Sequence, residues 1–358
     1  MRSLSDKKIE ELRSIAANPD FSSTKYRIVK ELARGGMGTV YLAEDPELSR
    51  QIAIKVLSTP GANSDLGRRM VREAQIIARL EHSGIVPVHD VGVLADGRVF
   101  YAMKLIRGER LDEYAARAES VKDRLRKFQS ACDAVAFAHA HGVIHRDLKP
   151  QNIMVGSFGE VLVLDWGVAK ILPPHRLSEG SREAETLMLP TTKQGDNDSQ
   201  PIGQDTTDGT IIGTPGYMSP EQARGEIEQL NQRSDVYSLG AILYFLLTNE
   251  NPRSANGHAA PGHQSEPTPR PRELNAKIGK AAEAICLKAM APSNDDRYTS
   301  AAELAADIAR LVDAEPVSAY RENAFEKTGR WLGKNRFLIF LILAYLLMRI
   351  FFILTARG

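Results

Sequence analysis

A short polar run, His145-Arg146-Asp147-Leu148-Lys149-Pro150-Gln151-Asn152, is wedged between two apolar segments. Before it, Ala131, Val135 and Ala138 fall at helical spacing and predict a helix over 131–140. After it, Ile153-Met154-Val155 and Val161-Leu162-Val163-Leu164 predict a β-hairpin turning at 156–159, whose second strand delivers Asp165-Trp166-Gly167. A loop therefore presents one carboxylate, one ammonium and one amide, and a strand end thirteen residues after Asn152 presents a second carboxylate. Phosphoryl transfer needs such parts: a carboxylate to take a hydroxyl proton, a cation on the moving phosphate, and oxygen ligands for magnesium.

Those parts need elements to hold them. From Tyr26 the pattern is strand-like, through Tyr26-Arg27-Ile28-Val29 and Leu32 to Ala43, and it is interrupted by glycines at 35, 36 and 38. Glycine lets backbone N–H groups approach phosphate oxygens closely. Seventeen residues after Gly38, the strand Ile52-Ala53-Ile54 ends in Lys55. Apolar residues at 66, 70, 74, 77 and 80 predict an amphipathic helix over 65–80 that carries Glu73. Two strands follow, ending at Val99-Phe100-Tyr101-Ala102-Met103, and 111–142 reads as alanine-rich helix. Asp6 to Ala17 could form one short helix within a polar extension over 1–25.

Composition narrows the class. With 358 residues the chain can form one large bilobal domain plus appendages. A net charge of +1 with 25% charged residues gives no reason to expect a nucleic-acid partner. Two cysteines, Cys132 and Cys286, without metal-ligand spacing imply a reducing compartment. The first thirty residues hold no apolar run, so no signal peptide is expected.

The loop and its downstream partner resemble the protein-kinase catalytic motif H-R-D-L-x-x-x-N followed by D-x-G, and Ile52-Ala53-Ile54-Lys55 resembles the kinase V-A-I-K strand. Gly213-Thr214-Pro215-Gly216-Tyr217-Met218-Ser219-Pro220-Glu221 resembles the end of a kinase activation segment, with Ser219 in place of alanine. Lysine two residues after Asp147 resembles Ser/Thr rather than Tyr kinases. The wording of Gly36 to Tyr41, of 81–90 and of Ser219-Pro220-Glu221-Gln222-Ala223 looks like a bacterial Ser/Thr kinase of the eukaryotic-like (Hanks) type, over roughly Tyr26 to Leu311.

The resemblance implies an α+β, bilobal protein-kinase fold over 26–312, with a small β-rich N-lobe (26–103), a larger helical C-lobe (107–312) and a long activation loop (165–221). It implies ATP and Mg²⁺ as cofactors and protein substrates as partners. Asp147 should accept the hydroxyl proton, Lys149 should neutralise the γ-phosphate, and Asn152 and Asp165 should hold the metal. Lys55 should pair with Glu73. Leu32, Ala33, Arg34, Gly35, Gly36, Met37, Gly38, Thr39, Val40, Ala53, Lys55, Met103, Leu105 and Met154 should surround ATP, with Met103 as gatekeeper and 104–106 as hinge. Thr210 falls where the family places its activating phosphothreonine, with Thr206 and Thr207 as rivals and Arg146 and Lys170 as the cations to meet it. Asp235 should brace the catalytic loop, and Arg297 should pair with Glu221.

Three departures stand out. Ala33 replaces the first glycine of G-x-G-x-x-G and disfavours φ > 0, Trp166 replaces phenylalanine behind Asp165, and 249–271 shows little pattern for the substrate-docking helix.

Beyond a juxtamembrane stretch at 313–336, residues 337–354 hold fourteen Leu, Ile or Phe and one charge, Arg349. The fourteen favour membrane insertion by roughly 4–8 kcal/mol, more than the ~2.5–3.5 kcal/mol that arginine costs. A single C-terminal transmembrane helix is therefore expected. Lys327, Arg330, Lys334 and Arg336 precede it and Arg357 follows it, so the kinase domain should stay cytoplasmic at the inner membrane. Four residues follow the span, which fits a tail-anchored kinase or a fragment whose outer sensor lies elsewhere. Autophosphorylation within a homodimer is a further expectation. Two rival readings remain: a membrane-tethered pseudokinase serving as an interaction module, and a small-molecule kinase of related fold.

Overall fold

The computed structural model describes residues 19–35, 38–62, 64–166, 170–171, 214–252, 268–334 and 336–355. The first lobe is a five-stranded antiparallel sheet made of β1 (Arg27–Arg34), β2 (Gly38–Asp45), β3 (Arg50–Leu57), β4 (Val88–Val93) and β5 (Val99–Lys104), in the order β1-β2-β3-β5-β4. One helix, α1 (Asp65–Arg79), crosses it between β3 and β4. Ser64 caps α1, its Oγ accepting the Gly67 N–H at 3.1 Å. Met70, Glu73, Ala74, Ile76 and Ile77 form its buried face, whereas Leu66, expected on that face, lies in the first turn and is exposed.

The second lobe begins with β6 (Gly108–Arg110), α2 (Leu111–Arg117) and α3 (Val121–Ala140). The continuous helix expected over 111–142 is broken at 118–120, because Ser120 adopts an extended backbone and its Oγ caps the Asp123 N–H at 3.1 Å. Then come β7 (Val143–Ile144), β8 (Ile153–Gly156), β9 (Val161–Val163) and β10 (Lys170–Ile171). The expected hairpin is β8–β9, and its turn passes through Gly159 at φ +85°. The helical body follows: α4 (Pro220–Ala223), α5 (Gln232–Thr248), α6 (Pro271–Leu274), α7 (Lys280–Ala289) and α8 (Ala301–Val312). Helix α5 is buried on nearly every side, so it reads as uniformly apolar rather than amphipathic. It is closed by Asn249 in the left-handed conformation, φ +61°.

One continuous core joins the lobes. Ile76 and Ile77 from α1 and Leu80 just after it share it with Leu148, Ile153, Val163 and Trp166 around the catalytic loop, and with Leu239, Ile242 and Leu246 of α5. A backbone bond from Val163 N–H to the Gly84 carbonyl, 2.8 Å, ties the loop after α1 to the strand that delivers Asp165.

The packed body continues past α8. Asp307 is fully buried and accepts from Tyr298 OH (2.9 Å), Arg310 Nη1 (2.7 Å), Ser318 N–H (2.8 Å), Ser318 Oγ (2.7 Å) and Ala319 N–H (3.1 Å). This straps the chain back so that Val317 and Tyr320 join the core. Helix α9 (Ala324–Lys334) is then docked by Glu326, which accepts from Lys280 Nζ at 2.7 Å and Tyr320 OH at 2.9 Å. The most apolar helix, α10 (Arg336–Thr355), ends the described chain with Phe340 to Met348 largely exposed. Among the described residues no helix is long and apolar enough to cross a membrane, the side chains of α10 being described without a break only over 339–349. They do not carry the expected span over 337–354. The expected helix within 6–17 lies outside the described residues.

Burial alone would raise the Asp307 carboxyl, but its hydrogen bonds, those from Ser318 foremost, hold it below the usual carboxylate range. A depressed folded-state pKa adds stability that is complete above the unfolded value of about 4 and is lost as pH falls through it and below. Urea unfolding should therefore find Asp307→Asn about 1–3 kcal/mol less stable at pH 7, with a smaller further loss on acidification than the native chain. Equal stability at pH 7 would contradict the strap.

Candidate active site

The catalytic loop is held in a strained shape. Arg146 has φ +71° and Asp165 has φ +58°, both in the left-handed region. Asp235, at the start of α5 and wholly buried, fixes the first of these. Its carboxylate accepts the backbone N–H groups of His145 (2.7 Å) and Arg146 (2.9 Å) and bonds His139 Nε2 (2.8 Å). Burial would raise its pKa; those bonds and the nearby histidines outweigh it and keep the carboxyl low. His145 contacts the Leu164 carbonyl through Nε2 at 2.9 Å and lies against Trp166, ring centroids 4.6 Å apart. Trp166 is buried, and its Nε1–H donates to the Val163 carbonyl at 3.3 Å, so the indole adds a bond that phenylalanine could not make.

Within that frame Asp147 Oδ1 accepts from Thr214 Oγ1 (3.0 Å) and its Oδ2 from Lys149 Nζ (2.8 Å). Lys149 Nζ also reaches Thr214 Oγ1 at 2.8 Å. Asn152 Nδ2 donates to the Asp147 carbonyl at 2.8 Å, which leaves the Asn152 side-chain oxygen as its ligand atom. Thr214 thus ties the end of the activation segment to the catalytic carboxylate, a contact that the sequence reading did not assign.

In the sheet lobe, Lys55 Nζ donates to Glu73 Oε1 (2.9 Å) and Oε2 (3.2 Å) and to Asp165 Oδ1 (3.1 Å). Tyr101 OH donates to Glu73 Oε1 at 2.8 Å. Tyr101 shares a face of β5 with Met103, two residues on, so strand alternation was the available signal for it. Burial by itself would lower the Lys55 pKa; Tyr101 and the Glu73 and Asp165 carboxylates more than offset that and hold it above the usual lysine range. Burial would likewise raise Asp165, but the charge and hydrogen bond of Lys55 keep it below the usual carboxylate range, hence ionised at neutral pH.

Most of the expected ATP-binding residues lie along β1, β2, β3, β5 and β8, with Gly35 just after β1 and Leu105 just after β5. Val40 pairs with Lys55, Ala53 with Met103, and Ala33 with Val40. Ala33 is extended within β1 and has no positive φ, so the alanine that replaces the family's glycine is unstrained. Gly38 is required: a Cβ there would stand 2.3 Å from the Val56 carbonyl oxygen. Leu32 is exposed and Arg34 pairs with Glu31, whereas Met103 packs partly buried between the cores of the two lobes. Leu105 and Met154 are half-buried. Gly36 and Met37 lie outside the described residues.

The remaining supports are in place. Arg297 grips Glu221 with two bonds, 2.8 and 2.9 Å, in full burial. Arg146 is buried, and its Nε and Nη2 have no hydrogen-bond partner among the described residues. Thr206, Thr207 and Thr210 lie outside those residues, as does most of the 249–271 stretch that shows little pattern for a docking helix, namely 253–267. Lys170 is placed by its backbone, opposite Ile144 in the β7–β10 pair.

Residues 26–307 match the protein kinase domain family. The chain belongs to the protein kinase family. It is 35% identical over 310 residues to the serine/threonine-protein kinase PknD of Chlamydia abortus, covering 81% of this chain and 31% of that protein. It is 36% identical over 315 residues to PknB of Mycolicibacterium smegmatis, covering 84% and 45%. The chain thus spans under half the length of these curated relatives. The crystal structure of the Mycobacterium tuberculosis PknI kinase domain superposes with a TM-score of 0.56 at 24% identity, over 80% of this chain and 96% of that one, and shares the bilobal fold. Within this family Asp165 and Asn152 are suited to Mg²⁺: an ionised carboxylate and a free amide oxygen are hard ligands, and magnesium shared with phosphates needs few protein groups.

Glu73→Gln removes the charge that orients Lys55. The expected result is a fall in kcat/KM for ATP of about ten- to a hundredfold, read by steady-state ADP release. A value within twofold of the native enzyme would show that the pair does not position Lys55.

Proposed function

We propose that this chain is an active Ser/Thr protein kinase that uses Mg-ATP, autophosphorylates on its activation loop, and is anchored to the inner membrane with its kinase domain in the cytoplasm. The observation that carries the catalytic part is the double engagement of Asp147 by Thr214 and Lys149, alongside Lys55 bound to both Glu73 and Asp165. Every ionic part of the transfer machinery is present and connected. Mg-ATP, when bound, supplies the phosphoryl group and the metal charge that neutralises it.

The chain's own residues do the rest. Asp147 takes the proton of the incoming hydroxyl, and Thr214 and Lys149 keep its two oxygens aimed. Lys149 carries positive charge to where negative charge gathers, and Lys55, braced by Glu73, fixes the phosphates from the sheet side. Catalysis rests on placement and charge, with no covalent intermediate. Arg146 Nε and Nη2, which have no partner among the described residues, would give a phosphorylated threonine, at 210 or at 206 or 207, two charge-assisted donors. Anchoring rests on residues 337–354, which hold one charge in eighteen and have basic residues before them.

Labelled Mg-ATP should place phosphate on the full chain but not on Asp147→Asn, with the sites mapping to 206, 207 or 210, and the chain should fractionate with membranes. Label on neither protein while ATP still binds would replace this reading with that of a nucleotide-binding interaction module.

A further inference from the structure

The left-handed backbone of Arg146 is held from both sides. Asp235 takes its N–H, and its carbonyl accepts Gln222 Nε2 at 2.7 Å. Gln222 lies in α4, directly after Glu221, and is 4% exposed. We infer that Gln222 is a positioning residue for the catalytic loop, fixing the Arg146–Asp147 peptide, and that Ser219 sets the orientation of its amide.

Ser219 donates twice to the Gln222 side-chain oxygen, from its N–H at 3.1 Å and from its hydroxyl at 3.0 Å. With that oxygen engaged by two donors, the amide can present only its nitrogen to Arg146. The reversed amide would set its N–H₂ against the Ser219 N–H, an obligate donor, and its oxygen against the Arg146 carbonyl, and only the Ser219 hydroxyl could turn to accommodate it. Ser219 is fully buried, so water does not compete for these bonds. The peptide that Gln222 holds includes the nitrogen of Asp147, and rotating it would swing the Asp147 carboxylate off Thr214 and Lys149. The base of α4 is stiff because the neighbouring Glu221 is pinned by Arg297 and by Ser234 Oγ at 2.7 Å. Serine at 219 therefore supplies a bond that alanine could not, and the end of the activation segment acts on the catalytic loop through Gln222.

The kinetic part of the test rests on the kinase reading; hydrogen exchange does not. The full chain would be compared with Gln222→Met, Gln222→Glu, Ser219→Ala and the Ser219→Ala/Gln222→Met double variant. ADP release from Mg-ATP would be followed with dephosphorylated casein as acceptor, and amide exchange over 145–149 beside that of α5. Gln222→Met should lower kcat about tenfold with the KM for ATP within about twofold, and speed exchange over 145–149 about tenfold while α5 is unchanged. Gln222→Glu, which puts an oxygen against the Arg146 carbonyl, should fall at least as far. Ser219→Ala should lower kcat about threefold, and the double variant should be no worse than Gln222→Met alone. Unchanged exchange over 145–149 in Gln222→Met would overturn the inference. So would kcat, KM and α5 exchange all shifting together, which marks a merely structural role. If no protein, native included, releases ADP, the kinase reading fails, and exchange alone still decides the role of Gln222.

Discussion

The catalytic loop keeps its shape because one buried carboxylate holds two consecutive backbone N–H groups. A long side chain at φ +71° is unfavourable by about 1–3 kcal/mol unless its neighbours over-determine it. Asp235 does so with charge-assisted bonds to His145 and Arg146, made where water cannot compete. Such a carboxylate must arrive on a rigid element, and α5 is the most enclosed helix of the body, buried from Ser234 to Tyr244. The apolar core of the large lobe thus has a chemical purpose: it carries one acceptor to one place.

From there the constraint spreads outward. The held loop sets Asp147, which collects Lys149, Asn152 and Thr214. The strand after the loop is tied to the α1–β4 connection through Val163 and Gly84, which links the small lobe to the strand that delivers Asp165. Glu73, on the buried face of α1, then meets Lys55, and Lys55 meets Asp165. The links differ in burial: Asp235 and the Lys55–Glu73 pair are enclosed, whereas the Asp165 side chain that meets Lys55 is half exposed. That matters because exposed pairs contribute little, whereas half of a buried pair left alone is strongly destabilising.

Much of this was legible in the sequence because short motifs fix both residue type and spacing. Lys55, Glu73, Asp147, Asn152, Asp165, Glu221, Asp235 and Arg297 were named from motif resemblance and spacing, and the structure joins Lys55 to Glu73 and Asp165, Asn152 to Asp147, Arg297 to Glu221 and Asp235 to the loop backbone. The helix over 65–80 and the hairpin over 153–164 followed from period and turn residues. The missed features are those set by tertiary contact. Nothing local distinguishes Thr214, Tyr101 or Gln222 from neighbours that only pack, since their partners lie 28 to 76 residues away in the chain. The break at 118–120 was masked by the alanines that lead into it, Ala115, Ala116 and Ala118, although Ser120 followed by Asp123 was a cap signal. Ala33 carries no backbone strain for a reason invisible in the sequence, since the chain there is extended.

The central claim is that Asp235 maintains a strained, preassembled loop on which transfer depends and nucleotide binding does not. The most direct measurement pairs kcat with Mg-ATP affinity for Asp235→Asn in the full chain. Replacing carboxylate by amide keeps the volume but weakens two charge-assisted bonds, each worth about 1.5–3 kcal/mol. The account predicts a fall in kcat of about a hundredfold or more, with Mg-ATP affinity within about threefold because Lys55, Glu73 and Asp165 bond one another and make no direct contact with Asp235. A variant that transfers phosphate within twofold of the native rate would contradict it.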